Sequence, residues 1–452
     1  MRDLAPTKDT PTLDFSNSTA HNSMLGPMYW YADAARKLGN FGLQQLLIAN
    51  RMVLDTSSAM GAPDFLTEMP KSHNRALMKM SEFAMDDFAK PAFGLDKTVI
   101  DGNEVAVSEE IIDGCDLPFG RLLHFKREVE GRNDPPVLIV APMSGHNATL
   151  LRDTVKALLP DQDVYITDWG NAADVPLSEG KFGLDDYIAY LEDFIKKIGP
   201  DVNIVAVCQS TVPVLAAVSH LAETDPSSQP RTMTLMGGPL DTEAAPTVVT
   251  KFAKKHPIEW FQKTVVSKAA NGRLVYSGNQ QVASFMGMNM SNHIQKFTDI
   301  YNDLRKGNDD KAQRGLDFYQ EYFSSSDMDG KFYLETVSKI FQENQLAKGN
   351  FYYGDHRVDP SKITRTAVYT VEGENDDISA PGQTIAVHNW MTGVSPDRHR
   401  RSLVPGIGHY GLFSGSTWRE KIAPSIAGFI RDTAAKDGRE YSPASVVTDS
   451  YK

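Results

Sequence analysis

The spacing of apolar positions changes part-way along the chain. Between Met24 and about Phe93, apolar residues such as Leu43, Leu46 and Leu47 recur at three- and four-residue spacing. This period predicts helices that each carry one apolar face. Further along, short and continuously apolar β-rich runs alternate with helical patterns. Such alternation predicts βαβ units whose parallel sheet is covered by helices on both faces.

Seven β-rich runs are expected to form the sheet. The strands are predicted at 122–125, 136–141, 164–167, 202–207, 232–236, 367–371 and 401–404. Helices are predicted at 148–159, 184–198, 212–221, 382–390 and 417–430. The alternation stops between residues 241 and 355, where the pattern is mostly helical. A helical stretch inserted into an α/β core predicts a cap over a binding cleft.

These patterns predict an α/β-hydrolase fold, with a mostly parallel sheet, an inserted helical cap and an N-terminal helical extension. We expect the extension to pack against the body of the protein or against a sister subunit in a homo-oligomer. An apolar face turned towards a lipid-like surface is the alternative. The expected divisions are a flexible arm at 1–23, a helical region leading into the sheet at 24–115, a core at 116–240 and 356–435, a cap at 241–355 and a tail at 436–452.

Composition and charge narrow the function classes. Of the 452 residues, 41% are hydrophobic and 23% are charged, which is typical of a globular protein. The net charge of -12 argues against general nucleic-acid binding, which needs clustered Lys and Arg. Two cysteines are too few for a disulfide scaffold or a four-cysteine zinc site. Because there is no signal-peptide pattern and no transmembrane segment in the sequence, we expect a cytoplasmic protein.

Cys208 lies where a predicted strand gives way to a predicted helix. This junction is the setting of a nucleophile elbow, whose sharp turn needs small residues two positions before and after the nucleophile. Ala206 and Ser210 hold those positions, in the sequence Ala-Val-Cys-Gln-Ser. A cysteine at a helix N-terminus also gains thiolate character. A buried structural cysteine explains the local motif equally well.

Two loops further along the chain offer partners for Cys208 in the order that this fold requires: nucleophile, acid, histidine. After the sixth predicted strand, a polar loop presents Asp376 and Asp377 as candidates for the acid. After the seventh, a glycine-rich loop carries His409, which would act as the base. Three suitable residue types at correctly ordered strand ends favour a catalytic triad over a structural cysteine.

Two backbone N–H groups are expected to bind an oxyanion beside this triad. One is the N–H of Gln209, directly after the nucleophile. The other should come from the loop after the strand at 136–141, where Met143 is the preferred donor and Ser144 the alternative. Ser144 and His146 in this loop are also candidates for substrate binding. The sequence has no metal-ligand spacing and no dinucleotide-binding glycine motif, so no metal site and no such cofactor site is expected.

Two longer motifs resemble those of the intracellular poly(3-hydroxybutyrate) depolymerases. They are Val-Cys-Gln-Ser-Thr-Val-Pro-Val-Leu-Ala-Ala-Val at 207–218 and Ala-Pro-Met-Ser-Gly-His-Asn-Ala-Thr-Leu-Leu-Arg-Asp-Thr-Val at 141–155. The acid and base loops fit the same family, and the resemblance covers nearly the whole chain. Transferred by position, it implies Cys208 as nucleophile, Asp376 as acid and His409 as base. Related polyester synthases carry an Asp followed by x-Ile in the acid loop, which favours Asp376 over Asp377.

The resemblance implies a cytoplasmic enzyme that cleaves amorphous poly(3-hydroxybutyrate) granules through an acyl-cysteine intermediate and releases 3-hydroxybutyrate or short oligomers. The polymer granule is then the expected partner, no metal or cofactor takes part, and either water or coenzyme A clears the acyl group. A polyester synthase is the nearest competing function, although its Gly-x-Cys-x-Gly box differs from the box found here. A short-chain ester or thioester hydrolase is a third candidate, and a non-catalytic granule-coat protein is a fourth.

Overall fold

The structure, a computed structural model, describes most of the chain in two compact units. The described residues are 48, 51–52, 55–56, 58–60, 63–288 and 290–445. The predicted arm at 1–23 and the end of the predicted tail lie outside them. One unit contains Ala92–Ser277 and the chain from Ser326 onward, and the other contains Gly278–Ser325 with the described residues before Ala92.

The first unit is built on a nine-stranded sheet, and its described residues also contain five shorter strands that lie outside this sheet. In chain order all of these strands are β1 Lys97–Ile100, β2 Asn103–Leu117, β3 Gly120–Arg127, β4 Pro136–Val140, β5 Asp163–Trp169, β6 Asn203–Val207, β7 Thr232–Met236, β8 Ser267–Lys268, β9 Leu274–Tyr276, β10 Met328–Asp329, β11 Tyr352–Tyr353, β12 His356–Arg357, β13 Ala367–Gly373 and β14 His399–Val404. The sheet order is β1-β2-β3-β5-β4-β6-β7-β13-β14, and the shorter strands β8 to β12 pair separately.

Polarity within the sheet follows its order. Every neighbouring pair from β5 to β14 is parallel, whereas β1, β2, β3 and β5 pair antiparallel. The strands β6, β7 and β13 are buried along their whole length, as expected of strands covered on both faces. This order and polarity confirm the predicted α/β-hydrolase fold, in which the parallel strands present their carboxyl ends at one edge.

Helices follow most of the parallel strands. The α-helices are Asp64–Ala84, Arg152–Leu158, Leu184–Ile198, Thr211–Thr224, Val248–Lys255, Ile258–Thr264, Gly278–Met288, Met290–Lys306, Asp309–Phe323, Gly330–Glu335, Gly415–Thr417 and Ala423–Lys436. Two π-helical segments, Thr336–Gln342 and Trp418–Ile422, continue the helices that precede them. Helix Thr211–Thr224 is buried over most of its residues, so it is the helix most enclosed by the core.

Two antiparallel strands, β1 and β2, follow the stretch predicted to be helical, in a part of the chain where the sequence predicted no strand. The alternation of buried and exposed residues along these strands is weak because the two strands lie at one edge of the sheet. In β2 only Val105, Val107 and Cys115 are buried, and the pairing with β3 shifts register between Ile111 and Asp116. An edge region with few buried positions carries little of the alternation that marks a strand.

The helix predicted at 382–390 is shorter than expected. Regular structure there is a single 3₁₀ segment, Ile385–Asn389. Gly382 has a φ of 107°, which a helix does not use. The carboxylate of Glu372 also accepts hydrogen bonds from the backbone N–H groups of Gly382 and Thr384. These bonds satisfy backbone N–H groups that precede the short helix, and the helix therefore begins only at Ile385.

Much of the stretch at 241–355 packs within the sheet-containing unit. The ring of Phe332 stacks on Tyr187 with centroids 5.4 Å apart. The buried Arg273 donates to Asp329 at 3.0 Å and to three backbone carbonyl oxygens of the loop 175–180. Only Gly278–Ser325 of this stretch falls in the other unit. The boundaries of a cap stay a prediction.

A charged cluster joins the antiparallel strands to β5. His124 Nδ1 lies 2.9 Å from Glu110 Oε1, and its Nε2 lies 2.7 Å from Asp163 Oδ1. Burial lowers the pKa of His124, but hydrogen bonds and charge attraction from Asp163 and Glu110 outweigh burial and raise it. The imidazole therefore ties three strands together best when it carries a proton.

Candidate active site

Cys208 directly follows β6 and begins the turn into helix Thr211–Thr224. Its φ of 58° lies in the left-handed region, which a residue with a side chain adopts only under constraint. The bend raises a half-buried thiol at the carboxyl edge of the sheet. This is the strained strand–turn–helix geometry of a nucleophile elbow.

Hydrogen bonds of Ser210 and Thr211 hold the turn. Ser210 Oγ accepts from the N–H of Val207 at 2.9 Å and lies 2.8 Å from the carbonyl oxygen of Val140. Thr211 Oγ1 donates to the carbonyl oxygen of Cys208 at 2.8 Å. Sequence reasoning used only the small size of Ser210, whereas its hydroxyl also joins the elbow to β4.

The acid and base loops bring Asp376 and His409 together. Asp376 Oδ2 lies 2.7 Å from His409 Nδ1, and both residues are buried. The second oxygen, Asp376 Oδ1, accepts from the N–H groups of Ile378 and Ser379 at 3.0 and 2.8 Å. The charge and hydrogen bonding of Cys208 are among the causes that raise the pKa of His409, which places the thiol beside the imidazole. The three residues singled out by sequence order therefore lie together.

The other carboxylates of the acid loop are placed differently. Asp377 is exposed. Glu372 is buried, but its carboxylate accepts from backbone N–H groups at 382, 384 and 385. Asp376 is thus the carboxylate of this loop that meets the imidazole.

Charge around His409 favours its protonated form. Burial lowers the pKa of His409, but the negative charges of Cys208 and Asp376 and their hydrogen bonds raise it well above 6.5. The net direction favours an imidazolium beside Cys208. A cationic imidazole next to a cysteine is a setting that favours a nucleophilic sulfur.

Gly237, which follows β7, packs against the Asp376–His409 pair. It has a φ of 52°, and a Cβ there would lie 2.7 Å from Leu412 Cδ1, 3.2 Å from Asp376 Oδ2 and 3.3 Å from His409 Cε1. A side chain at this position would be strained by the positive φ and would crowd both Leu412 and the Asp376–His409 pair. Sequence reasoning missed it, although the Gly237-Gly238 pair at a predicted strand end was a signal of close approach.

The loop after β4 is fixed at its first residue. The carbonyl oxygen of Ala141 accepts from Trp169 Nε1 at 2.8 Å and from the hydroxyl of Tyr187 at 2.9 Å. The N–H of Ala141 donates to Thr167 Oγ1 at 2.9 Å. These contacts, none of them foreseen from the sequence, hold the start of the loop that carries the second expected oxyanion donor.

Met143, the preferred donor, lies beside Gln209, the residue after Cys208. Its backbone N–H donates to the side-chain oxygen of Gln209 at 3.2 Å, and both residues are buried. The structure therefore brings the two expected oxyanion donors together through a side-chain contact. Ser144, the alternative donor, is half-buried in the same loop.

His146 joins the oxyanion loop to the base loop. Its Nε2 lies 3.0 Å from the hydroxyl oxygen of Tyr410, the residue after His409. Tyr410 was not singled out from the sequence, where it is one of 16 tyrosines without a distinguishing pattern. Among residues 63–288 and 290–445, no three His, Cys, Asp or Glu side chains are grouped so as to hold a metal ion. In the same part of the chain, no helix combines the length and apolar character needed to cross a bilayer.

Comparison with known proteins finds similarity to proteins named for polyhydroxyalkanoates. Residues 237–434 match a family model described as PHB de-polymerase C-terminus. Two similar proteins are both named Poly(3-hydroxyalkanoate) polymerase subunit PhaC. The protein from Haloferax mediterranei is 21% identical over 337 residues, which cover 72% of this chain and 64% of that protein. The protein from Synechocystis sp. is 22% identical over 326 residues, which cover 69% of this chain and 81% of that protein.

This chain therefore spans less than two thirds of the length of the Haloferax protein. Among solved structures, it is similar to a thermophilic esterase from Thermogutta terrifontis, at 12% identity and a TM-score of 0.39, over 75% of this chain and 98% of that one. The fold itself follows from the sheet order and polarity of β3 to β14. The chain is an α/β-hydrolase-fold protein similar to proteins named for polyhydroxyalkanoates.

Proposed function

We propose that this protein cleaves the ester bonds of poly(3-hydroxybutyrate) granules through an acyl-cysteine intermediate. The observation that carries the proposal is the hydrogen bond between Asp376 and His409, with Cys208 beside this imidazole at the carboxyl edge of the sheet. The match of residues 237–434 to the PHB de-polymerase C-terminus supports this polymer as the substrate and cleavage as the reaction.

Acylation begins at the sulfur of Cys208. The thiolate attacks the ester carbonyl carbon, and the oxygen becomes an oxyanion held by backbone N–H groups of Gln209 and Met143. The carbon–oxygen ester bond then breaks, and the proton on His409 Nε2 passes to the leaving alkoxide. A 3-hydroxyacyl thioester on Cys208 and a shortened polymer alcohol remain.

Deacylation uses the same imidazole as a base. Neutral His409 takes a proton from water, and the resulting hydroxide attacks the thioester carbon. The carbon–sulfur bond breaks, which releases a carboxylic acid and restores the thiolate beside the imidazolium. Asp376 holds the ring through Nδ1 in both steps.

The decisive experiment compares the two cysteines. Cys208→Ala should abolish release of soluble 3-hydroxybutyrate or its oligomers from amorphous granules, because the reaction depends on the thiol that His409 contacts. Cys115→Ala is the matched control, since Cys115 is buried in β2 and takes no part in the mechanism. Unchanged turnover by the Cys208 variant would rule out the acyl-cysteine route.

Polymer synthesis is the second candidate, because the similar proteins from Haloferax and Synechocystis are both named polymerase subunits. The same triad would then pass the acyl group to a growing chain. Incubation with 3-hydroxybutyryl-coenzyme A separates the candidates. Growth of insoluble polymer with release of free coenzyme A would replace cleavage as the proposed reaction.

Granule association and substrate size form a separate part of the proposal. Turnover of amorphous granules should exceed turnover of a soluble short-chain ester, and the protein should sediment with granules added to it. A protein that hydrolyses only the soluble ester and stays in the supernatant would be a small-ester hydrolase without a polymer role.

A further inference from the structure

The side chain of Gln209 is hydrogen-bonded to the backbone N–H of Met143, which is one of the two donors that the proposed reaction needs. Gln209 Oε1 lies 3.2 Å from the backbone nitrogen of Met143 and accepts its hydrogen. Gln209 is only 8% exposed and Met143 only 6%, so this contact is within the protein rather than at its surface. The acceptor is a carboxamide oxygen, which resembles the carbonyl oxygen of a bound ester.

Only the side chain of Gln209 has to move to free this donor. Its backbone is held by the elbow, where Cys208 has a constrained φ and Ser210 is hydrogen-bonded to two strands. The start of the Met143 loop is fixed by the three bonds to Ala141. Rotation about the side-chain bonds of Gln209 would therefore expose the Met143 N–H while both backbone donors stay in place.

The energetics of the exchange favour the transition state over the substrate. A neutral ester carbonyl replaces one neutral acceptor by another and gains little from displacing Gln209. An oxyanion is charged, and hydrogen bonds to a charged acceptor are roughly twice as strong as neutral ones. Displacing Gln209 costs the same in both states, but the stronger bond to the oxyanion offsets this cost whereas the bond to the neutral carbonyl does not, so the donor contributes to binding the transition state and little to binding the substrate.

We propose that the Gln209 side chain is a displaceable occupant of the oxyanion site, bound to the Met143 N–H until the oxygen of the reacting ester takes its place. Gln209 is then a positioning residue through its side chain as well as a donor through its backbone. The proposal rests on the acyl-cysteine step of the proposed function and makes Met143, rather than Ser144, the second donor.

Kinetics of Gln209→Met on a soluble p-nitrophenyl butyrate test this role. Methionine keeps the length of the side chain but lacks the carboxamide oxygen, so the ester carbonyl should meet a free N–H. We expect KM to fall by about fivefold, the effect of one net neutral hydrogen bond, with kcat unchanged or lower. The exposed Gln313→Met is the matched control and should leave both constants unchanged. A raised KM with a lower kcat would overturn the proposal, because it would mean that Gln209 only supports the loop.

A trapped complex of the unsubstituted protein tests the geometry without relying on a variant that folds. Butyraldehyde should add to Cys208 as a thiohemiacetal, and its crystal structure should show the new oxygen about 3 Å from Met143 N with Gln209 Oε1 moved away. A retained Gln209–Met143 bond would overturn this inference and leave the proposed function intact. Failure of the aldehyde to add, together with an active Cys208→Ala variant, would refute both.

Discussion

Replacing Asp376 by asparagine changes one atom in the proposed triad, and the surrounding hydrogen bonds fix how the new side chain must sit. Asp376 Oδ1 accepts from the N–H groups of Ile378 and Ser379, so the amide oxygen of an asparagine must take that place. The amide NH₂ then faces His409 Nδ1, where Oδ2 now lies at 2.7 Å. The ring must accept there, which leaves its proton on the side of Cys208.

A proton on that side blocks the base function. His409 could no longer take a proton from water in deacylation, and the imidazolium would lose the charge that supports it. The Asp376 carboxylate is one of the two charges that raise the pKa of His409 against burial, so that pKa should fall in the variant. Wrong-tautomer substitutions in related triads lower kcat by about 10⁴-fold, so a loss of about 10³- to 10⁴-fold, or about 4–5.5 kcal/mol, is expected.

Steady-state hydrolysis of a soluble ester measures this loss, and the chain provides a close control. Asp377→Asn makes the same chemical change at the next residue, whose side chain is exposed, and should keep nearly full activity. Unfolding in urea should show that both variants fold. Activity of Asp376→Asn within tenfold of the unsubstituted protein, or an equal loss in the two variants, would refute the proposed role of Asp376.

Substitutions at Gly237, Arg273 and His124 test the surroundings of the site and the sheet. Gly237→Ala should lower the free energy of unfolding by about 2–5 kcal/mol and also reduce kcat, because left-handed strain and crowding of the Asp376–His409 pair add together. Gly438→Ala, with a φ of 69° and open space around it, should show only the strain of about 1–2 kcal/mol, and equal losses at both positions would exclude crowding. Arg273→Met should lower the free energy of unfolding by about 3–5 kcal/mol, because it leaves the buried Asp329 carboxylate without its cation and three backbone carbonyl oxygens without this donor. A second change, Asp329→Leu, should recover in urea titrations only the part of the loss that is due to the carboxylate. His124→Gln should lower the free energy of unfolding more at pH 6 than at pH 9. The pKa of His124 is raised in the folded protein, so its protonation stabilises the fold fully below about 6.5, and this contribution is lost as the pH rises through the folded-state pKa. A loss of stability that does not depend on pH would contradict this role.

The parallel strands could be predicted from the sequence because their apolar runs follow from burial on both faces. The strands β4, β6 and β13 are continuous apolar runs because both faces are buried, and a buried run is visible without any partner. The ends of β6, β13 and β14 then had to fall on one edge, so Cys208, Asp376 and His409 could be expected to lie near one another. The antiparallel strands β1 and β2 were not predicted, because buried and exposed residues alternate over only a few of their positions.

Sequence reasoning failed where a residue acts through a neighbour distant in the chain. Gly237 looks like any turn glycine, and its contact with Asp376 depends on how two strand ends are spaced. Tyr410 meets His146 across 264 positions, and no local pattern reports that contact. The backbone of Gln209 was predictable from its place after the nucleophile, but the direction of its side chain was not.

The contacts around the site distinguish residues that hold its loops in place from residues of the proposed triad. Ser210, Gly237 and Ala141 each join a loop of the site to a neighbouring strand or helix. Substitutions there disturb packing, so activity and stability should fall together. Asp376 and Cys208 instead belong to the proposed triad, and a near-isosteric change at either position should remove activity while the fold remains. The geometry of the elbow and the oxyanion loop is therefore set by the sheet, whereas the chemistry depends on a few side chains that the sheet positions.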